Sequence, residues 1–74
     1  MAKHFVMDHT GHSTIEFDKA NTADLDASIA RFNELRASGH AAATRKTGER
    51  DYTLIKSPDQ EQDETLFVPQ MRGG

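Results

Sequence analysis

The sequence predicts one α+β domain, a mixed sheet of four or five strands packed on a single helix. Three observations predict it. Two short alternating runs flank a glycine near the start, and a stretch with helical spacing of apolar residues lies between Asn21 and Gly39. Three further strand-like runs follow, punctuated by Gly48, Pro58 and Pro69.

The first break is Thr10-Gly11. Before it, Phe5 and Met7 alternate with His4, Val6 and Asp8; after it, Ile15 and Phe17 alternate with Thr14, Glu16 and Asp18. Alternating runs around a glycine-containing turn read as a β-hairpin. Phe5, Met7, Ile15 and Phe17 are expected to share its core face.

Asn21-Thr22 offers an N-cap, and Asp24 and Asp26 place negative charge where the helix dipole favours it. Leu25, Ile29, Phe32 and Leu35 then recur at helical spacing, with Asp26, Arg31, Asn33 and Arg36 on the other side. Gly39 is the expected stop, because a glycine just past the last turn adopts positive φ without steric penalty. One apolar stripe suits packing on a sheet rather than burial all round.

His40 to Arg45 is alanine-rich, and its assignment as a strand rests on position. Lys46-Thr47-Gly48-Glu49 reads as a turn and Asp51-Tyr52-Thr53-Leu54-Ile55 as the strand that follows. Ser57-Pro58 ends that strand, and Asp59 to Asp63 is a loop or a single helical turn. Thr65-Leu66-Phe67-Val68 is a short buried-type strand stopped by Pro69, which has no N–H to give a ladder. Residues 1–69 thus form the domain, and residues 70–74 are expected to be an extended C-terminal tail. The expected core is Phe5, Met7, Ile15, Phe17, Leu25, Ile29, Phe32, Leu35, Leu54, Leu66 and Val68.

Composition narrows the function. The chain has 74 residues, 9 basic and 12 acidic side chains, a formal charge of −3 and no cysteine. Without cysteine there is no disulfide framework, thiolate metal site or thiol nucleophile. The acidic balance argues against binding nucleic acid by phosphate neutralisation. No apolar run approaches the roughly 18–20 residues that span a bilayer. A small monomeric cytoplasmic protein is expected.

The element order, a hairpin, one helix across it and a last strand returning to the first hairpin, is the β-grasp arrangement. Phe5-Val6, Thr10-Gly11 and Thr14-Ile15-Glu16 resemble the opening hairpin of ubiquitin, and Glu64-Thr65-Leu66 with Arg72-Gly73-Gly74 resembles its last strand and tail. The end is also similar to the bacterial sulfur carriers, whose tails run from an aromatic strand through a proline to Gly-Gly, as Phe67-Val68-Pro69 to Gly73-Gly74 does here. The resemblance covers roughly residues 3–39 and 63–74 and implies activation at Gly73-Gly74 by an adenylating (E1-like) partner enzyme. Such chemistry needs a slender terminus. Residues without Cβ thread a narrow channel toward the α-phosphate of ATP with little steric or dihedral restriction. Pro69 would end the ladder and aim the tail outward. Arg72 would pair with an acidic groove of the activating enzyme, and Met71 would supply a deformable apolar contact.

Other constellations point elsewhere or nowhere. His4, His9 and His12 gather near the first hairpin, but no carboxylate or thiolate completes a tetrahedral set, so a solvated turn is preferred to a metal site. Arg45, Lys46, Arg50 and Lys56 concentrate positive charge around the second hairpin, ahead of the acidic run Asp59, Glu61, Asp63 and Glu64. That asymmetry would steer a partner through Arg45 and Arg50, or simply solvate the surface. Ser13, Ser28, Ser38 and Ser57 lack a Gly-x-Ser-x-Gly setting, and no phosphate-cradling glycine loop is present. The chain is therefore expected to be no enzyme and to carry no cofactor. Two classes of function remain: a ubiquitin-like carrier or modifier, and a non-covalent interaction module docking through a sheet edge or the charged second hairpin.

Overall fold

The structure, a computed structural model, describes residues 2–8 and 11–69. β1 (Ala2–Asp8) and β2 (Gly11–Phe17) form the opening hairpin, followed by α1 (Thr22–Ala37), β3 (His40–Arg45) and β4 (Thr53–Ile55). A single 3₁₀ turn (Pro58–Gln60) leads into β5 (Glu64–Pro69). The five strands make one mixed sheet in the order β2-β1-β5-β3-β4. β5 runs parallel to β1 and antiparallel to β3, so the last strand sits at the centre and returns to the opening hairpin. One helix against this sheet is an α+β, β-grasp-like arrangement.

The helix begins and ends where its cap residues dictate. The Asn21 side chain accepts from the Asp24 N–H at 3.0 Å, satisfying one orphan donor of the first turn. The preceding connection is closed by Asp18, whose carboxylate accepts from the Ala20 N–H and whose own N–H donates to the Asp24 carboxylate. At the other end Gly39 takes φ +100° and its N–H reaches the Arg36 carbonyl, which ends the helix as expected. β4 is shorter than the sequence suggests: Asp51 and Tyr52 lie outside it.

Phe32 and Phe67 are fully buried and pack edge-to-face, with ring centroids 5.5 Å apart. Ala42 and Ile55 complete the central cluster, and Val6 and Leu35 pack against it. Leu25 and Ile29 are half-buried on the same helical stripe, and Ser28 is buried between them with its hydroxyl donating to the Leu25 carbonyl at 2.8 Å. The apolar stripe of the helix is as the spacing predicts.

The phase of the strands is not. Directly paired residues share a face, so the register Ala2↔Phe17, His4↔Ile15 and Val6↔Ser13 puts Ala2, His4 and Val6 toward the helix. Phe5 and Met7 therefore lie on the opposite, outer face, and Met7 is 41% exposed. Only Ile15 and Phe17 of the expected hairpin core face inward, Ile15 half-buried and Phe17 buried. The same inversion recurs in β4, where Ile55 is buried and Leu54 is 77% exposed. In β5, Thr65 and Phe67 are buried while Leu66 and Val68 face outward, half-buried. The reason is packing. Phe17, Phe32 and Phe67 fill the space under the helix, leaving β1 and β3 to contribute the small Ala2 and Ala42 and a flat imidazole between the rings.

Candidate functional site

The tail that the sequence singles out begins at the central strand. Pro69, the last residue of β5, pairs with His40 at the start of β3. β1 is parallel to β5, so Asp8, Gly11 and Gly39 belong to this same end of the sheet. Met71, Arg72, Gly73 and Gly74 lie outside the described residues.

Arg45 is held rather than presented. Its Nε donates to Glu64 Oε1 at 2.7 Å, its Nη1 donates to the Glu49 carbonyl at 3.1 Å, and its guanidinium stacks over Tyr52 at 4.6 Å. The Glu64 bond, the largest influence, raises its already high pKa. Arg50 differs: it is exposed in the bend between β3 and β4, and no side chain among the described residues pairs with it. Of the two expected recognition arginines, one is an anchor and one is available.

The acidic run is also largely engaged in the fold. Asp63 Oδ2 accepts from the Thr47 N–H at 3.0 Å, and this bond holds its carboxyl below the usual carboxylate range, helped by the charge of Lys19. The Asp63 carbonyl accepts from the Lys3 N–H at 2.8 Å, and the Ser57 hydroxyl donates to the Asp59 carboxylate. The positive second hairpin and the following acidic segment thus meet across the sheet, with Arg45 opposite Glu64.

The two described histidines of this group do not converge. His4 points into the core, His12 lies on the outer face opposite Met7, and His9 is outside the described residues. Among the described residues no three His, Cys, Asp or Glu side chains are grouped to hold a metal ion.

His4 is the polar centre that sequence reasoning missed. It is 0% exposed, with the rings of Phe17 and Phe67 edge-on at 4.8 and 4.9 Å. Arg31 on α1 approaches Nδ1 at 3.1 Å, and Glu61 after the 3₁₀ turn approaches Nε2 at 2.5 Å. Arginine has only donors, so Nδ1 must accept and the proton sits on Nε2, donating to Glu61. The three side chains tie β1, α1 and the segment before β5 into one line, with a cation at one end and an anion at the other. A signal existed: His4 stands in phase with Ala2 and Val6, and a helix arginine and a late glutamate were available to satisfy it. The expectation that large apolar residues take the inner positions hid it.

The outer face of the sheet carries an apolar row. Reading across the register, Phe5 neighbours Leu66, Leu66 neighbours Ala43, and Ala43 neighbours Leu54; Met7, Val68 and Ala41 share that face. A depression of ≈ 460 Å³ lies between β3, β4 and the 3₁₀ turn. Three of its polar side chains are committed to the fold: the Thr44 hydroxyl accepts from the Gln62 N–H, the Glu49 carboxylate from the Lys46 N–H, and the Gln60 carbonyl oxygen from the Lys56 N–H. Among the described residues no helix is long and apolar enough to cross a membrane.

Comparison with family models, with curated proteins and with solved structures gave no match to this chain.

Proposed function

We propose that this chain is a small ubiquitin-like carrier or modifier whose Gly73-Gly74 end is activated by an adenylating partner enzyme. The observation that carries the reading is the central position of β5 in a β-grasp-like order, followed directly in sequence by Gln70-Met71-Arg72-Gly73-Gly74. The central strand itself is paired on both sides, so an enzyme grasping the residues beyond it acts on a firm base. The carboxylate of Gly74 would attack the α-phosphorus of ATP, forming an acyl-adenylate and releasing pyrophosphate. The partner supplies the catalysis; Arg72 and Met71 give it something to hold. A cytoplasmic location, where ATP and such enzymes occur, belongs to the same reading, and one copy suffices for capture.

The test is pyrophosphate exchange. Incubation with a candidate adenylating enzyme, ATP and labelled pyrophosphate is expected to give exchange that disappears when Gly74 is deleted. If removal of Gly73-Gly74 leaves every measurable activity intact, the carrier reading fails.

A second reading rests on the outer face. Among the described residues Leu54 and Met7 are the exposed large apolar residues, and they flank the half-buried Phe5, Leu66 and Val68. A non-covalent docking module would use this face. In that case a partner captured by the full chain stays bound after tail deletion and is lost with Leu54→Asp, whereas a tail-dependent partner behaves in the opposite way.

A further inference from the structure

The edge of the sheet at β2 has a backbone and a side-chain pattern that fit a second copy of itself. The Lys3 N–H donates to the Asp63 carbonyl on the β5 side of β1. In an antiparallel ladder a residue whose N–H points away from its partner strand belongs to a non-hydrogen-bonded pair. Lys3↔Glu16 is therefore such a pair, and by alternation so are Phe5↔Thr14 and Met7↔His12. On β2 it follows that Glu16, Thr14 and His12 direct their N–H and C=O groups outward, at the terminal strand of the sheet. No described residue bonds to those groups.

Exposed edges of this kind are normally blunted by proline, lysine or a bulge. β2 has none of these over Gly11–Phe17, and every residue from Gly11 to Thr14 is exposed. At seven residues it is also more than twice the length of the other edge strand, β4, which has three.

We propose that two copies of this chain associate through β2 in antiparallel register about a two-fold axis at Thr14. Outward-pointing residues must pair with outward-pointing residues, which restricts the register to even offsets. Centring on Thr14 sets His12 of one copy opposite Glu16 of the other, twice, with Thr14 facing Thr14. This register uses all three outward residues of each strand. Sliding by one step sets Glu16 or His12 opposite Thr14, and a second step sets Glu16 opposite Glu16 or His12 opposite His12; each step loses hydrogen-bonded pairs. Cross-strand pairs of opposite character and Thr–Thr pairs favour the centred arrangement. On the helix side, Ile15, half-buried in the single copy, gains Ser13 of the other copy as a neighbour. The axis is perpendicular to the sheet, so the two outer faces become continuous. This interface departs from the monomer expected from sequence and is independent of whether Gly74 is activated.

A strand edge alone buries less than a standard interface, so association is weak, with Kd of about 10–1,000 μM. Sedimentation velocity across about 5 μM to 1 mM, an interval chosen to bracket that range, is expected to show a reversible monomer–dimer equilibrium. Thr14→Pro removes an outward N–H without touching the β1 ladder, a position where an edge strand tolerates proline. It is expected to weaken the dimer about 10- to 100-fold, since the central two-bond pair is lost. Two variants at an exposed position guard against misfolding as the cause, with circular dichroism checking the fold. His12→Glu places like charges opposite each other and weakens association, whereas His12→Lys faces Glu16 and strengthens it. A chain that stays monomeric at about 1 mM overturns the proposal. So does a dimer indifferent to Thr14→Pro, or one that shifts the same way with both His12 variants.

Discussion

The two faces of this sheet divide their chemistry against simple expectation. The face toward the helix carries His4, Thr44 and Thr65 among its buried residues, while the face toward solvent carries Phe5, Met7, Leu54 and Leu66. The inner polar groups are tolerable because they are satisfied. Thr44 donates to the Glu64 carbonyl at 3.1 Å and lies 3.3 Å from the Thr65 hydroxyl, and His4 has Arg31 and Glu61. Among the described residues no buried side-chain nitrogen or oxygen lacks a partner. What makes a face internal here is where Phe67 meets Phe32 and the His4 ring bridges Phe67 and Phe17, not the summed hydropathy of each strand.

That contrast can be broken most forcefully at its centre. Phe67→Ala is expected to cost about 3–5 kcal/mol, from lost transfer energy and the cavity left against Phe32. Chemical denaturation measures it, and in a domain of this size the variant will be largely unfolded at moderate temperature. A loss below about 1 kcal/mol would show that the inner face is not the core. Glu61→Ala comes next, at about 2–4 kcal/mol, because it strands the His4 N–H and leaves Arg31 without its anion at the far end of the line. The same measurement on Glu61→Gln should recover part of the loss, since the amide oxygen still accepts. On the outer face, Leu54→Ser is expected to change stability by no more than about 0.5 kcal/mol. A large loss there would mean that the outer row is structurally required.

The smallest effect concerns acid. Asp63 titrates below its ordinary value because Thr47 donates to its charged form, so its contribution is complete above the unfolded-state pKa. It is lost as pH falls through the lowered folded-state pKa. Stability followed from neutral pH downward should therefore decline through the acidic carboxylate range, and Asp63→Asn should flatten that decline. An unchanged acid limb in the variant would assign the slope to other carboxylates.

These outcomes bear on how much the sequence discloses. The helix was legible because its signals are local: Asn21 caps, Gly39 stops, and Leu25, Ile29, Phe32 and Leu35 repeat with the helical period. The order of strands was legible from turns and prolines. The phase of three strands was not, and the cause is common to all three. His4-Phe5-Val6-Met7, Leu54-Ile55 and Leu66-Phe67-Val68 each place apolar residues at both parities, so alternation carries no information about which parity faces the helix. Side-chain size then misleads, because Ala2 and Ala42 are inside to leave room for Phe17, Phe32 and Phe67. Charge was similarly ambiguous. Arg45 and Arg50 look alike in sequence, yet only the tertiary placement of Glu64 and Tyr52 turns the first into an anchor.

The middle strand follows the other four described strands in sequence, and this has a consequence for birth of the molecule. On the ribosome, β1 and β3 emerge before residues 64–69, and each waits with a bare flank until that segment slots between them. Closure joins strands far apart along the chain, so it is slow relative to helix formation. During that interval the nascent chain is open to chaperones and to mispairing with neighbours.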